Sequence, residues 1–596
     1  MEKPFTDLPP RIFDLLSYYI QHYGQRESLF SYKVNGEWIK ISGKEFCKRT
    51  DFLSIGLLEL GIKKGDKVAF ISNNCPQWNM IDFATQQIGA ISVPIYQGIS
   101  VSDFEYIIRH SDAKLLFLEN SRLAGKYVPS VKGTIDDKSI FLFHSTDQEP
   151  SIDALIAVGE AHAERKAELQ SIENSIGPDD VATIVYTSGT SGLPKGVMLT
   201  HENIMSNISH FGCRVPFIDR AVCFLPQSHI LERSTQYTRI YCGISIFYAE
   251  SPATIVRDIA EVKANSFSTV PRVLEKIYDS ILQKGSKLEG KAKEVFNKAI
   301  ELALQYDETK RNNSQAYLDE LAIADSLVLK GIRDSLGGAL VFITCGGTAT
   351  PKKITKFFCA LGIPIVEGYG LTETSPVIAS NCITVEKMIK AGTIGFPLAN
   401  LDVNLDSETN EILVKGPSVM KGYYKDEQLT KQSFDEEGYF HTGDKGLLDE
   451  DGFLVLTGRI KDLFKTSMGK YISPFVIEKK LCDSPWIDNA MVVGENQRFA
   501  AALIVPNFNL VKEWCDDNGI QASTNEEMVN NRQVIVRISQ EVNNCNKALG
   551  DAEQIRRFKL LGNEWTIEGG ELTSSLKIRR SIIAERHQKQ IDELFR

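Results

Sequence analysis

Paired cysteines, paired histidines and long apolar runs are what this sequence lacks. None of the 11 cysteines stands in a C-x-x-C pair, and an odd number does not close a disulfide framework within one chain, so reduced core thiols are expected. The nine histidines show no H-x-x-x-H spacing and no company of paired cysteines, which leaves a dedicated zinc or iron site unsupported. Any metal is expected to arrive with a phosphate ligand. No apolar stretch approaches the ~18 residues of a membrane span, and the opening MEKPFTDLPP has neither a basic nor an apolar signal region. A cytoplasmic protein is the expectation.

Basic charge is also in deficit: 67 Lys and Arg stand against 77 Asp and Glu, a net −10. That field repels nucleic acid, so an anionic ligand has to meet a local basic patch. With 43% hydrophobic and 24% charged residues the composition is that of a packed globular protein. At 596 residues the chain exceeds one ordinary core, and more than one domain is expected.

From Lys67 the pattern alternates. KVAFIS reads as a buried strand, WNMIDFATQQIGA as a helix with one apolar face, ISVPIY as a strand, VSDFEYIIRH as a helix and KLLFLE as a strand. Such β-α-β units predict a mostly parallel, helix-covered sheet. Residues 281–335 turn charged and helix-favouring, with Val295, Ala299, Leu302 and Tyr306 on one helical face; a helical insertion, solvated and packed on the surface, is expected. Short alternating strands (EILVKGP, GYFHTGD, GFLVLTG) run up to Gly458, and a small α+β domain follows. The last twenty residues carry a local +3, for which a solvated helix is an adequate reading and contact with an anionic cofactor or a membrane surface the alternative.

The sharpest local signal is Thr187-Ser188-Gly189-Thr190-Ser191-Gly192-Leu193-Pro194-Lys195-Gly196, between the apolar runs VATIVY and VML. Glycines let backbone N–H groups approach a phosphate, while hydroxyls and one ammonium add donors. A Walker A loop is excluded, because Pro194 stands five residues after Gly189 and Lys195 is followed by glycine. A polyphosphate cradle is one reading of the segment alone; a flexible Ser/Gly hairpin is the other.

Further blocks settle which. LPQSHILER (225–233), TVPRVLEKIY (269–278), CGGTATP (345–351), EGYGLTETSP (367–376), VMKGYYKD (419–426), GYFHTGDKG (438–446), GRIKDLFKTSMGKYISP (458–474) and LTSSLKIRR (572–580) follow YTSGTSGLPKGVMLTHENI in order. Together they resemble the adenylate-forming enzymes, in particular their long-chain acyl-CoA synthetase branch. The resemblance implies an α/β fold: a large N-terminal domain, 1–460, of helix-covered sheets with a small β-barrel-like part, and a small mobile α+β C-terminal domain, 461–596. It implies activation of a fatty acid with ATP and Mg²⁺ through acyl-AMP, then acyl transfer to coenzyme A.

That chemistry brings two anions together and expels pyrophosphate, so cations and aligned donors must crowd the site. By resemblance Thr187, Ser188, Gly189, Thr190, Ser191, Gly192 and Lys195 hold the β- and γ-phosphates. Glu373 receives Mg²⁺, a hard cation that prefers oxygen, and Thr372 contacts the α-phosphate. Tyr369 offers adenine an aromatic plate, with Gly346, Gly347 and Gly370 around it. Asp444 accepts both ribose hydroxyls and Arg459 adds a donor. Lys577 offsets charge at the attacked phosphate; the usual LTPTLK is here LTSSLK, without the proline that stiffens the loop. Lys461 matches the hinge about which the small domain turns, Gly469 makes room for the pantetheine arm, and His229 lines the acyl side.

Each of these residues also has a plain reading: a core tyrosine at 369, a surface carboxylate at 373, a Gly-Asp turn at 444, a loop-bonded histidine at 229, a solvated lysine at 577. Two rival functions are a ligase that loads the acyl group onto a carrier protein and a non-catalytic adenylate-binding protein on the same fold. Peripheral membrane contact is compatible with all three.

Overall fold

The computed structural model describes every residue except 1–4, 6, 145–149, 188–192, 217, 252, 385–388, 461, 468, 469, 552 and 574–576. Contacts divide the chain into two compact units: 1–403 with 414–440 and 452–454, and 404–413 with 441–451 and 455–596.

The first unit is built on two large sheets. Strands Lys67–Ile71, Ile91–Ile95 and Ala113–Leu118 pair in parallel at the middle of a seven-stranded sheet. Their near-continuous burial is that of strands covered on both faces. At one side of this sheet Val181–Thr187 and Lys195–Thr200 form an antiparallel hairpin, with Tyr186 opposite Gly196 and Thr187 opposite Lys195. The nine-stranded sheet is parallel through Ile365–Gly370, Phe342–Cys345, Ser266–Thr269, Arg220–Cys223, Ser245–Tyr248 and Phe30–Val34, with antiparallel strands at both margins.

The segment read as a helix with one apolar face, WNMIDFATQQIGA, is corrected: every residue of helix Pro76–Gln87 is buried. It packs against strands of both sheets, so no face is left for water. Helix Ile230–Tyr241 is nearly as enclosed. Buried charge is tolerated because it is paired. Arg233 binds Asp82 through Nε at 3.0 Å and through Nη2, while its Nη1 donates to Thr183 Oγ1 at 2.8 Å. Tyr237, Ser92 and Gln86 also donate to Asp82. Arg239, paired with Glu232 at 2.8 Å, reaches Ser268 at 3.0 Å. The two helices are thereby fastened to both sheets.

Over 281–335 the chain is largely helical, and the buried face keeps Ala299 and Leu302 of the expected one but not Val295. Helix Gly290–Gln305 buries Phe296, Ala299, Ile300, Leu302 and Ala303, whereas Val295 is 41% exposed and Tyr306 caps the end. Phe296 decides the rotation: its ring fills the space at Gly285, where a Cβ would come within 2.0 Å of it.

In the second unit, strand Ala500–Pro506 is buried throughout, pairing antiparallel with Ile487–Val493 and parallel with Ile555–Leu560. Helices such as Pro474–Cys482 and Arg532–Asn546 complete a core made from residues 464–594. The part expected to be barrel-like is a four-stranded sheet, Asp402–Leu405, Glu411–Lys415, Phe440–Leu448 and Leu454–Arg459 in that order. The C-terminal tail is not a solvated helix. It forms Arg580–Arg586 and Gln588–Leu594, which bury Ile583 and Leu594, and Arg580 pairs with Glu478. Among the described residues no disulfide joins any of the eleven cysteines. Among the described residues no helix is long and apolar enough to cross a membrane.

Candidate functional site

Thr187 ends one strand of the hairpin and Lys195 begins the other, so the Ser/Gly-rich loop departs and returns between them. Ser188, Gly189, Thr190, Ser191 and Gly192 themselves lie outside the described residues. Strand Gly422–Tyr423 adds to the hairpin's free edge, with Tyr423 opposite Val197, and Tyr424 N–H donates to the Gly196 carbonyl at 2.8 Å. Helix His201–Phe211 follows at once, its start fixed by reciprocal hydrogen bonds between Thr200 and Asn203.

The Thr372–Thr374 turn lies against the strand that begins with Lys195. Glu373 is gripped twice: the Tyr423 hydroxyl donates to its Oε1 at 2.8 Å, and Met420 N–H donates to its backbone carbonyl at 2.8 Å. Lys195 Nζ stands 5.6 Å from the centre of the Tyr423 ring, a distance at which a cation is attracted to the ring face. The structure thus brings Lys195, Tyr423 and Glu373 together. Burial, and then the negative charge of Glu373, push the Tyr423 phenol well above its ordinary range, so it remains a donor. The sequence reading matched the block VMKGYYKD but singled out no residue in it; Tyr423 is the one it missed. The set suits a hard cation and phosphate oxygens. No group of three or more His, Cys, Asp or Glu that could hold a metal alone occurs among the described residues.

Tyr369 is a buried residue of strand Ile365–Gly370, and Gly346 directly follows the neighbouring strand Phe342–Cys345. A Cβ on Gly346 would stand 3.3 Å from the Gly368 carbonyl, so the two segments touch backbone to backbone beside Tyr369. Gly347 has φ +92°, and at Gly370 a Cβ would fall 1.7 Å from the Pro376 carbonyl, which no other residue tolerates. His229 caps helix Ile230–Tyr241, its Nδ1 accepting Leu231 N–H at 3.2 Å, and meets Tyr96 edge to face at 6.2 Å.

In the second unit, Arg459 Nε donates to Asp444 Oδ1 at 2.8 Å, across adjacent strands. Asp444 is 5% exposed. The Gly443 N–H beside it donates to Glu411, which also accepts from His441 at 2.9 Å. Lys577 closes a hairpin: its N–H donates to Thr573 Oγ1 at 3.0 Å, Thr573 N–H returns to the Lys577 carbonyl at 2.8 Å, and Leu572 bridges Ile578. These bonds hold the loop ends that lack the proline. Lys461 and Gly469 lie outside the described residues.

A Ser/Gly-rich loop between a threonine and a lysine, a nearby carboxylate and an aromatic beside close-packed glycines define a nucleotide-handling enzyme. The chain belongs to the AMP-binding enzymes: that family's profile matches residues 18–424, and the profile of the AMP-binding enzyme C-terminal domain matches 461–596. It is similar to the long-chain-fatty-acid–CoA ligase FadD15 of Mycobacterium bovis, 31% identical over 94% of this chain and 93% of that protein. It is also similar to the long-chain-fatty-acid–[acyl-carrier-protein] ligase AEE15, chloroplastic, of Arabidopsis thaliana, 29% identical over 96% of this chain and 85% of that one. Among solved structures, the adenylation domain of a carboxylate reductase from Mycobacterium chelonae shares the fold, with a TM-score of 0.73 at 20% identity, covering 98% of this chain and 91% of that one.

Proposed function

We propose that this protein activates a fatty acid with ATP to an acyl-adenylate, releasing pyrophosphate, and then passes the acyl group to the thiol of coenzyme A, releasing AMP. The observation that carries the reading is the grouping of Lys195, Tyr423 and Glu373 where the Ser/Gly-rich loop returns to its strand. In the first step a carboxylate oxygen bonds to the α-phosphorus and the bond to the pyrophosphate oxygen breaks. In the second the thiol sulfur bonds to the acyl carbon, AMP leaves and the thiol gives up its proton. Thr187, Ser188, Gly189, Thr190, Ser191, Gly192 and Lys195 bind the β- and γ-phosphates, Thr372 the α-phosphate, and Tyr369 with Gly346, Gly347 and Gly370 the adenine. Asp444 accepts the ribose hydroxyls beside Arg459, and His229 lines the acyl side. When bound through Glu373 and phosphate oxygens, Mg²⁺ supplies neutralisation of phosphate charge. Lys577 offsets the charge that builds up on the attacked phosphate. A small mobile domain, 461–596, turning about Lys461, serves both steps in succession, and Gly469 leaves space for the pantetheine arm. A fatty substrate partitions into lipid, so peripheral membrane contact belongs to the same reading.

The test is mass analysis of products from ATP, Mg²⁺ and a mixture of fatty acids, with either coenzyme A or a phosphopantetheinylated carrier protein. Acyl-CoA and AMP are expected. The similarity to AEE15 favours a carrier-protein ligase as the second reading; acyl-carrier product alone would establish it. Bound AMP without any acyl product would leave an adenylate-binding protein.

A further inference from the structure

Asn74 stands in the turn after strand Lys67–Ile71, at the carboxyl end of the seven-stranded sheet and just ahead of the buried helix Pro76–Gln87. The turn Leu225–His229 leaves the carboxyl end of strand Arg220–Cys223 in the other sheet. The Asn74 side chain joins them. Its Nδ2 donates to the Leu225 carbonyl at 2.7 Å, and its Oδ1 accepts Gln227 N–H at 3.0 Å. One amide thus occupies both polar groups of a backbone segment, as a neighbouring strand would.

Gln227 is held a second time. Its own Nε2 enters the buried amide cluster, donating to Asn79 Oδ1 and Gln236 Oε1, each at 2.9 Å. Two residues later the chain delivers His229, whose N–H closes on the Pro226 carbonyl at 3.0 Å and whose ring meets Tyr96. The carboxyl ends of parallel strands are where α/β sheets bind ligands, and Asn74 fixes the turn that presents the His229 ring there. Apolar burial contributes little to this: Leu225 and His229 are half-buried, Pro226 is exposed, and the buried residues of the turn, Gln227 and Ser228, are polar.

We infer that Asn74 is a positioning residue for His229, and that through it Asn74 sets the affinity for the fatty carboxylate and leaves that for ATP alone. This rests on the reading above that His229 lines the acyl side. A grip that acts through one side chain differs from a bond that merely stabilises the fold, since only the effect of the former disappears when His229 is removed.

The experiment measures carboxylate-dependent exchange of pyrophosphate into ATP for the parent, Asn74→Ala, Asn74→Asp, His229→Ala and the double variant Asn74→Ala/His229→Ala. Asn74→Ala is expected to raise KM for the fatty acid about 10-fold, the size of one or two lost hydrogen bonds at about 1 kcal/mol each, with KM for ATP within about twofold. Asn74→Asp keeps the shape and the acceptor for Gln227 but loses the donor to Leu225, and is expected to shift the same constant in the same direction. In the His229→Ala background the Asn74→Ala effect is expected to vanish. Unchanged constants, equal changes for ATP and fatty acid, or additive effects in the double variant would each overturn the inference. A parent protein that shows no fatty-acid-dependent exchange would instead defeat the functional reading on which it stands.

Discussion

At the residue scale the proposed chemistry depends on which side chains meet at Glu373, where the Tyr423 hydroxyl donates to the carboxylate. The carboxylate in GYGLTET is legible in the sequence through the resemblance of that block, which implies a Mg²⁺ ligand at Glu373. Tyr423 is not legible, since it stands in the pair Tyr423-Tyr424 and only strand pairing decides which ring goes where. Successive side chains on a strand point to opposite faces. Tyr423 accordingly reaches Glu373, while Tyr424 turns to Asp112 and to the rings around His110. If the Tyr423 hydroxyl aims the Glu373 carboxylate at Mg²⁺, the two substitutions have graded effects. Glu373→Gln removes the charge and is expected to lower pyrophosphate exchange on the order of 100-fold. Tyr423→Phe removes one hydrogen bond to a charged group, worth about 1.5–3 kcal/mol, and is expected to raise the Mg²⁺ concentration for half-maximal rate about 10-fold. Mg²⁺ titration of both variants checks the order; a Tyr423→Phe curve identical to the parent's would remove the tyrosine from the site.

At the element scale, strands were easier to read than helix faces. KVAFIS, ISVPIY and KLLFLE are unbroken apolar runs and form the parallel strands at 67–71, 91–95 and 113–118. Helix faces depend on partners that the sequence does not name. Periodicity alone places Val295 inward with Ala299 and Leu302, whereas the bulk of Phe296 against Gly285 rotates the helix Gly290–Gln305 so that Ala299 and Leu302 stay buried and Val295 does not. Likewise WNMIDFATQQIGA has polar residues enough for a wet face, yet Asn79, Asp82 and Gln86 find partners inside. Helix His201–Phe211 carries a further consequence. His201 is buried, and its Nδ1 accepts Ile12 N–H at 3.2 Å. Burial, reinforced by the positive charge of Arg11, pushes its pKa down from 6.5 to about 3. Between those values the unfolded chain binds the extra proton, so this contribution to stability is complete above pH 6.5 and declines as the pH falls toward 3. The slope is about 1.4 kcal/mol per pH unit. Urea unfolding at pH 7.5 and 5.0 is expected to show parent stability falling more steeply than that of His201→Gln, which cannot take up the proton. Parallel slopes would show that His201 is already protonated in the folded chain, or never protonated in the unfolded one.

At the scale of the whole molecule, the change of texture near Gly458 was visible because short glycine-rich strands give way to helices and a new apolar strand. That 404–413 and 441–451 share a unit with 455–596 was not visible, because contacts rather than chain order assign them. The unit containing 455–596 has its own core in residues 464–594. On the proposed reading the two reactions use two arrangements of the chain, with Lys461 as the pivot between them. Proline there fixes φ near about −65° and removes a backbone N–H. It penalises any motion that rotates this residue while sparing each core. On the proposed reading, adenylation uses one arrangement, with Lys577 at the carboxylate, and thioester formation uses another, in which Gly469 leaves space for the pantetheine arm. Lys461→Pro is therefore expected to retain acyl-AMP formation within about threefold and to slow its consumption by coenzyme A by a factor on the order of 100. Single-turnover experiments that follow the two steps separately, with circular dichroism to verify the fold, make the comparison. Equal loss in both steps with the fold intact would mean that the two chemistries do not alternate about this residue.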